Sequence, residues 1–394
     1  MRMDRSERRA RLAVRHHLAP SAAAANPTDV ARRLVALHST DPASVYLACL
    51  ARTEAGDTAS VERALYDERS LVRMLGMRRT VFVVPVELAP VVHSACTRAI
   101  AALERRKLVQ LLEQAGIAPD GAKWLSRVED ETMAALRERG QALGQELSEA
   151  VPDLRAQLSF GDETKKWAAV VAVTSRVLFV LAADGRIVRG KPRGSWISSQ
   201  YRWVPRDDWL GEAPPEPPSD VARVELARRW LATFGPATPA DLRWWTGWTA
   251  GDTKRALAEL HPVEVDLDGV AGIVLPDDLA PTTVSAQPWA ALLPALDPTV
   301  MGWSERSWFL GDQQQRADLF DRSGNAGPTV WWNGEVVGGW AQRRDGEVVS
   351  HLLRDIGADG RGAVDTAAQR LQTSVGEVRI TPRFRTPIER ELSA

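Results

Sequence analysis

The chain has 394 residues, of which 44% are hydrophobic and 26% charged, and its formal net charge is −1. That length exceeds what one core holds, so two to four domains are expected, while the near-neutral charge gives no global sign of a nucleic-acid or membrane partner. Only two cysteines, a charged start and the lack of an apolar run near the roughly 20 residues of a membrane span predict a soluble, cytoplasmic protein without disulfides, leader or membrane contact.

Charge is instead local. Met1–Ala19 carries six arginines against Asp4 and Glu7, and Gly185–Arg206 holds six basic residues with no acid. The first predicted element is a basic helix over Arg5–Ala19. Asn26 reads as an N-cap with Pro27 at the first helical position, and Val30, Leu34 and Leu37 follow at helical spacing. Asp41-Pro42 starts a helix to Arg52, and Ser60–Asp67 gives another. Leu71–Gly76 and Thr80–Val84 read as strands around a basic tip, Met77-Arg78-Arg79. A helical stretch over Val86–Ala115 then bridges to Gly121–Arg139, a turn, and Gly144–Ala150. Thr164–Ser175 is expected as a further helix. Val177–Leu181 and Gly185–Val188 are expected to form a hairpin, extended by the basic, aromatic stretch to Trp209. Pro214–Pro218 reads as a stiff linker. Beyond it come helices over Asp220–Thr233, Pro239–Trp245 (capped by Thr238) and Ala250–Leu260, then strands Val263–Leu267 and Gly272–Leu275 around Asp268-Gly269.

Helix, turn, helix, helix and hairpin thus recur three times, the element order of a winged helix. From Trp289 the texture changes to strands: Val300–Trp303, Thr329–Trp332, Val336–Trp340, Glu347–Leu353 and Glu377–Ile380. Asn333-Gly334 and Asp345-Gly346 mark hairpin turns, and one helix is expected over Gly362–Ser374. The expected class is α+β: three tandem winged-helix modules and a small C-terminal β-barrel-like domain. The boundaries fall at 1–85, 86–213, 219–284 and 289–394.

Four stretches carry a resemblance. Leu37-His38-Ser39-Thr40-Asp41-Pro42-Ala43 runs into Tyr46-Leu47-Ala48 and Arg52. Arg79–Pro85, Phe234–Leu242, and Leu292–Pro298 with Gly302, Arg306, Gly334 and Val337–Trp340 follow in order. Together they resemble the AlkZ/YcaQ-type bacterial DNA glycosylases along essentially the whole chain. The resemblance implies winged helices around a DNA channel and hydrolysis of the N-glycosidic bond of alkylated purines, including bulky adducts and interstrand crosslinks. It also implies a catalytic Gln-x-Gln or Gln-x-Asp, where this chain has His38-Ser39-Thr40.

An N7-alkylated purine is cationic and leaves without strong acid catalysis, so a site needs only to place water and stabilise an oxocarbenium-like transition state. His38 could act as base, losing activity as pH drops through its pKa; Thr40 could hold the water, and Asp41 could oppose the developing charge. Each also has a plain structural reading, as a histidine after an apolar stripe and as an ordinary helix start. Arg52, Arg78, Arg79, Arg186, Arg189, Lys191, Arg193 and Arg202 are candidate DNA contacts, with Trp196, Tyr201 and Trp203 as aromatic faces that stack or wedge against bases. Trp244, Trp245 and Trp248 read as core, and Arg8, Arg9 and Arg15 as a solvated face. Neither a metal ligand set, a phosphate-binding loop nor a nucleophile elbow is present in the sequence, so no metal and no cofactor are expected. The expected activity is that of a monofunctional glycosylase, acting as a monomer on double-stranded DNA with alkylated bases. A winged-helix DNA-binding regulator or damage shield without catalysis is the second reading, and a protein-binding scaffold the third.

Overall fold

The computed structural model describes all residues except 55, 161–168, 213–214, 284–286 and 312–316. The order of elements begins with helix Arg5–Arg15, in which Asp4 accepts from the Glu7 amide. Asn26 caps helix Pro27–Arg33 through the Asp29 amide, and Asp41 caps helix Pro42–Leu50. Strands β1 (Leu37–His38), β2 (Leu71–Leu75) and β3 (Val81–Pro85) form an antiparallel sheet in the order β1-β3-β2. Its tip, Met77–Arg79, turns through positive φ at Arg78 and Arg79.

A continuous helical run over residues 86–114 leads into the second unit, and helices Gly121–Arg139 and Gly144–Ala150 follow. That run, contrary to expectation, is long enough to cross a membrane by length and composition, with a mean hydropathy of 1.2 over one window. Its Leu108 and Leu112 join a core built entirely within the second unit, with Leu125, Leu136, Leu147 and Leu181.

Two expected elements of this unit change. Of the helix expected over Thr164–Ser175, residues 164–168 lie outside the described residues and 169–172 are strand instead: β4 (Gln157–Phe160) pairs with β5 (Ala169–Ala172). The strand expected at Val177–Leu181 is helix Thr174–Ala183. The seven-residue apolar run Val177–Ala183 fits either period, and burial of Val177, Leu178, Val180 and Leu181 against neighbouring helices selects the helix. The hairpin forms later, between β6 (Ile187–Pro192) and β7 (Tyr201–Pro205).

In the third unit, helices Ser219–Phe234, Pro239–Thr246 and Ala250–Leu260 precede β8 (Val263–Asp266) and β9 (Ala271–Val274). Asp268 and Gly269 both sit at positive φ, as their tight turn requires. C-terminal strands β10 (Ala290–Leu293), β11 (Thr329–Trp332), β12 (Glu335–Gln342) and β13 (Val348–Leu352) form one open antiparallel sheet in sequential order. The expected barrel is therefore not closed among the described residues. Val300–Trp303 is not a strand: Asp297 accepts from the Thr299 amide and Pro298 opens a helical turn, Pro298–Met301, so capping prevails over strand propensity. Glu377–Ile380 is not a strand either; the Ile380 amide donates to the Gln342 side chain at 2.8 Å.

The first and third units share their interior with the C-terminal sheet. Val84, Leu88, Trp230, Phe234, Trp303 and Trp331 belong to one continuous core, and Leu37, Tyr46 and Val83 pack with Leu292, Val330 and Trp340 in another. The N-terminal basic helix is not a solvated face. Its Arg11 and Arg15 are buried, and both bind Asp278.

Candidate active site

Strand β1 is short because Ser39 and Thr40 carry the chain out of the sheet and into helix Pro42–Leu50. Leu37 and His38 pair with Val83 and Phe82 of β3, and the Ser39 amide donates to the Val81 carbonyl at 2.9 Å. Alternation along a strand sends Leu37 into the core and His38 to the other face. There the imidazole meets the Phe82 ring edge-on, with centroids 5.1 Å apart. It is 8% exposed, and its Nδ1 is buried without a hydrogen-bond partner among the described residues.

Burial, and secondarily the positive charge of Arg78, hold the His38 pKa down to about 3. The ring is therefore neutral throughout the ordinary pH range. The acid-side loss of activity expected for an unperturbed histidine base has no titration to produce it in this pocket. A group this weakly basic is suited to orienting a water through a hydrogen bond, and poorly suited to keeping its proton.

Thr40 is half-buried, and among the described residues its hydroxyl is uncommitted; its carbonyl accepts from Arg383 Nη1 at 3.4 Å. Asp41 is committed on both oxygens. Oδ1 accepts from the Ala43 amide at 3.1 Å and Oδ2 from the Arg383 amide at 3.0 Å. Burial also pushes its carboxyl pKa up. Asp41 thus caps the helix and ties the C-terminal segment to the turn, which weakens it as a source of negative charge for a transition state.

Behind this turn stands a residue that sequence reasoning missed. Arg73 of β2 is 3% exposed; its Nε donates to Ser39 Oγ at 2.6 Å and its Nη1 to the Tyr66 hydroxyl at 3.0 Å. Its guanidinium lies 4.5 Å over the Tyr201 ring of the β6–β7 hairpin. The usable signal was an arginine at the centre of the apolar strand Leu71-Val72-Arg73-Met74-Leu75. Arg383, exposed beside Thr40, was missed too, because only the return of the C-terminal segment brings it there.

The candidate DNA contacts divide sharply. Arg52 is 1% exposed and makes a two-pronged pair with Asp297 at 2.7 and 2.9 Å, plus bonds to Thr299, Ala48 and His16. It is a structural residue and not a DNA contact. Trp196 is likewise buried, its ring 4.8 Å from that of Tyr46, so it joins the hairpin to the first unit and offers no face to a base. Arg186 is tied to Glu129 and Asp130, and Arg202 lies 3.6 Å from Glu146. Arg78 stacks 4.1 Å over Trp244, while Trp245 and Trp248 are core. Arg79 is exposed beside Glu104, Lys191 is exposed at 3.5 Å from Glu62, and Arg193 is exposed. Arg189 lies 4.9 Å over Trp203, and burial holds its pKa down to about 10.

With this geometry in place, comparison with known proteins gives three findings. Residues 31–374 match the family model described as DNA glycosylase AlkZ-like. Among solved structures, the DNA glycosylase AlkZ of Streptomyces sahachiroi superposes with a TM-score of 0.72 at 20% identity, covering 97% of this chain and all of that one. At that identity the likeness establishes the fold alone. No curated protein sequence matches the chain.

Proposed function

Because this chain belongs to the AlkZ-like DNA glycosylase family, we propose that it excises purines alkylated at N7 from double-stranded DNA by hydrolysing the N-glycosidic bond, leaving an abasic site. The observation that carries this reading is the turn at His38–Thr40: a neutral, buried imidazole with an unpartnered Nδ1, two residues from an uncommitted hydroxyl. The position is the one at which the family resemblance puts its catalytic amides. A neutral imidazole, like an amide, offers both a donor and an acceptor without a charge.

The chemistry asks little more of the protein. A cationic base is its own leaving group, so the turn need only hold a water at the anomeric carbon and stabilise positive charge as the bond breaks. The Nδ1 of His38 and the hydroxyl of Thr40 are the free polar groups for that water. The reaction ends at hydrolysis, since lyase chemistry needs a poised amine and the first lysine of the chain is Lys107. Three helix-and-hairpin units, read as winged helices, frame the DNA. Arg79, Lys191, Arg193, Arg202 and Arg383 are basic side chains open enough to meet phosphates. The reading extends to bulky and crosslinked purines, and to a cytoplasmic monomer.

Incubation of purified protein with duplex DNA containing N7-alkylguanine, followed by alkali, tests the proposal. Strand breaks at the lesion are expected. A duplex that is bound yet survives alkali intact would favour the second reading, a DNA-binding damage shield or regulator.

A further inference from the structure

Between the outer edge of β2 and the β6–β7 hairpin lies a cavity of about 250 Å³, walled by apolar Val72, Leu75, Ile187 and Val188 and by both Arg73 and Arg189. Tyr201 and Trp203 are two apart on β7, so their rings share a face of the hairpin. Arg73 lies over the first ring and Arg189 over the second. The two guanidiniums therefore stand side by side, near enough that the charge on Arg73 depresses the pKa of Arg189.

Neither has a carboxylate within ion-pair distance among the described residues. The acids that line the cavity are taken: Asp184 by Arg105, Asp207 by Arg206, and Glu216 by Arg98 and His93. Arg73 keeps its Nη2 buried and unpartnered, and Arg189 makes no hydrogen bond among the described residues. Among the other buried arginines, Arg11 and Arg15 are neutralised by Asp278 and Arg52 by Asp297, while Arg8 stacks 4.0 Å over the Trp308 ring. Buried Arg73 and half-buried Arg189, with no anion on either among the described residues, are unfavourably placed unless an anion joins them.

We infer that Arg73 and Arg189 form a phosphate-binding site that takes one phosphodiester of the bound DNA beside the His38–Thr40 turn. This rests on the glycosylase reading for its substrate. The one uncommitted nitrogen of Arg73, Nη2, and the guanidinium of Arg189, from two residues that line one cavity, can donate to the several acceptor oxygens of a tetrahedral anion. A cationic alkylated base is repelled there, and a neutral base leaves both charges unmatched. Through its Nε bond to Ser39, Arg73 connects the phosphate directly to the turn. Seating of the backbone and placement of the turn are thereby coupled through one side chain.

Two arms test the site. In the first, thermal unfolding of the full chain is followed as inorganic phosphate replaces chloride at constant ionic strength. The parent is expected to gain Tm beyond the gain of Arg189→Gln, which shares any general salting effect. Arg73→Gln should lose the difference as well; if it fails to fold, Arg189→Gln alone decides. Equal gains in parent and Arg189→Gln overturn the site.

In the second arm, duplexes with one neutral methylphosphonate at successive positions around an alkylated guanine are bound to both proteins. One position should weaken the parent by about tenfold or more, the loss of a charge-assisted contact, and leave Arg189→Gln unmoved. A flat scan despite phosphate protection assigns the cavity to a free anion and overturns the DNA contact. Success in both arms without excision would retain the phosphate site and reject the glycosylase reading.

Discussion

Two polar clusters flank the first unit, and they are built to opposite rules. Beneath helix Pro42–Leu50, Arg52 is fully satisfied: Asp297 takes both prongs, Thr299 and two carbonyls take the rest, and nothing polar on it is left over. On the side facing the hairpin, His38 Nδ1, Arg73 Nη2, Tyr46 Oη and Tyr201 Oη are all buried without partners. Burying an unmet polar group is costly; beside Arg52 only His16 Nε2 is left unmet among the described residues, whereas the hairpin side gathers four such atoms, so that is where an incoming polar ligand is expected. The satisfied cluster holds the units together; the open one is where substrate is expected.

The contrast breaks most easily at Arg52. Arg52→Ala leaves Asp297 buried without its counter-ion, and should cost about 3–5 kcal/mol in denaturant unfolding, whereas Arg189→Gln, which removes an unmatched cation, should cost far less. Comparable losses in the two variants would erase the distinction. At the open cluster the effect should fall on chemistry. His38→Ala should lower single-turnover excision by about 10²-fold or more, while His38→Gln, which restores a neutral donor and acceptor, should stay within about tenfold of the parent. Parental excision by folded His38→Ala would remove the residue from the mechanism.

A smaller effect is expected outside both clusters. Lys191 and Arg193 are exposed on the hairpin, so changing both to Ala should reduce the slope of log affinity against log salt by about two and weaken binding at low salt. An unchanged slope would put the hairpin tip outside the interface.

A further signature is in pH. His38 is neutral in the native state down to about 3, whereas in the unfolded chain it protonates near the ordinary histidine value of 6.5. Between those values the unfolded state binds the extra proton, so stability should fall as pH falls from about 6.5 towards 3. Buried His16, its pKa also well below normal, adds to the decline with the same sign. His38→Gln should remove part of that slope in urea titrations at successive pH values. Excision by the parent should show no inflection near pH 6.5 from this residue.

What the sequence determined by itself was local. Asn26, Asp41, Thr238 and Thr249 each accept from the amide of a residue two or three positions on, so these helix starts are written within a few positions of chain. Asn333-Gly334 and Asp268-Gly269 specify their turns for the same reason, since positive φ is a property of the residues that adopt it. The helix start that follows His38–Thr40 was legible in Asp41-Pro42. Tertiary structure decided everything that depends on distant partners. Arg52 read as a DNA contact because its counter-ion stands 245 positions away. Trp196 read as an exposed wedge because Tyr46, which covers it, belongs to another unit. Arg73 passed unnoticed because its meaning lies in Ser39, Tyr66 and Tyr201, contributed by three separate segments. The neutrality of His38 belongs to the same class: desolvation is a sum over everything packed around the ring, and no short stretch of chain encodes that sum.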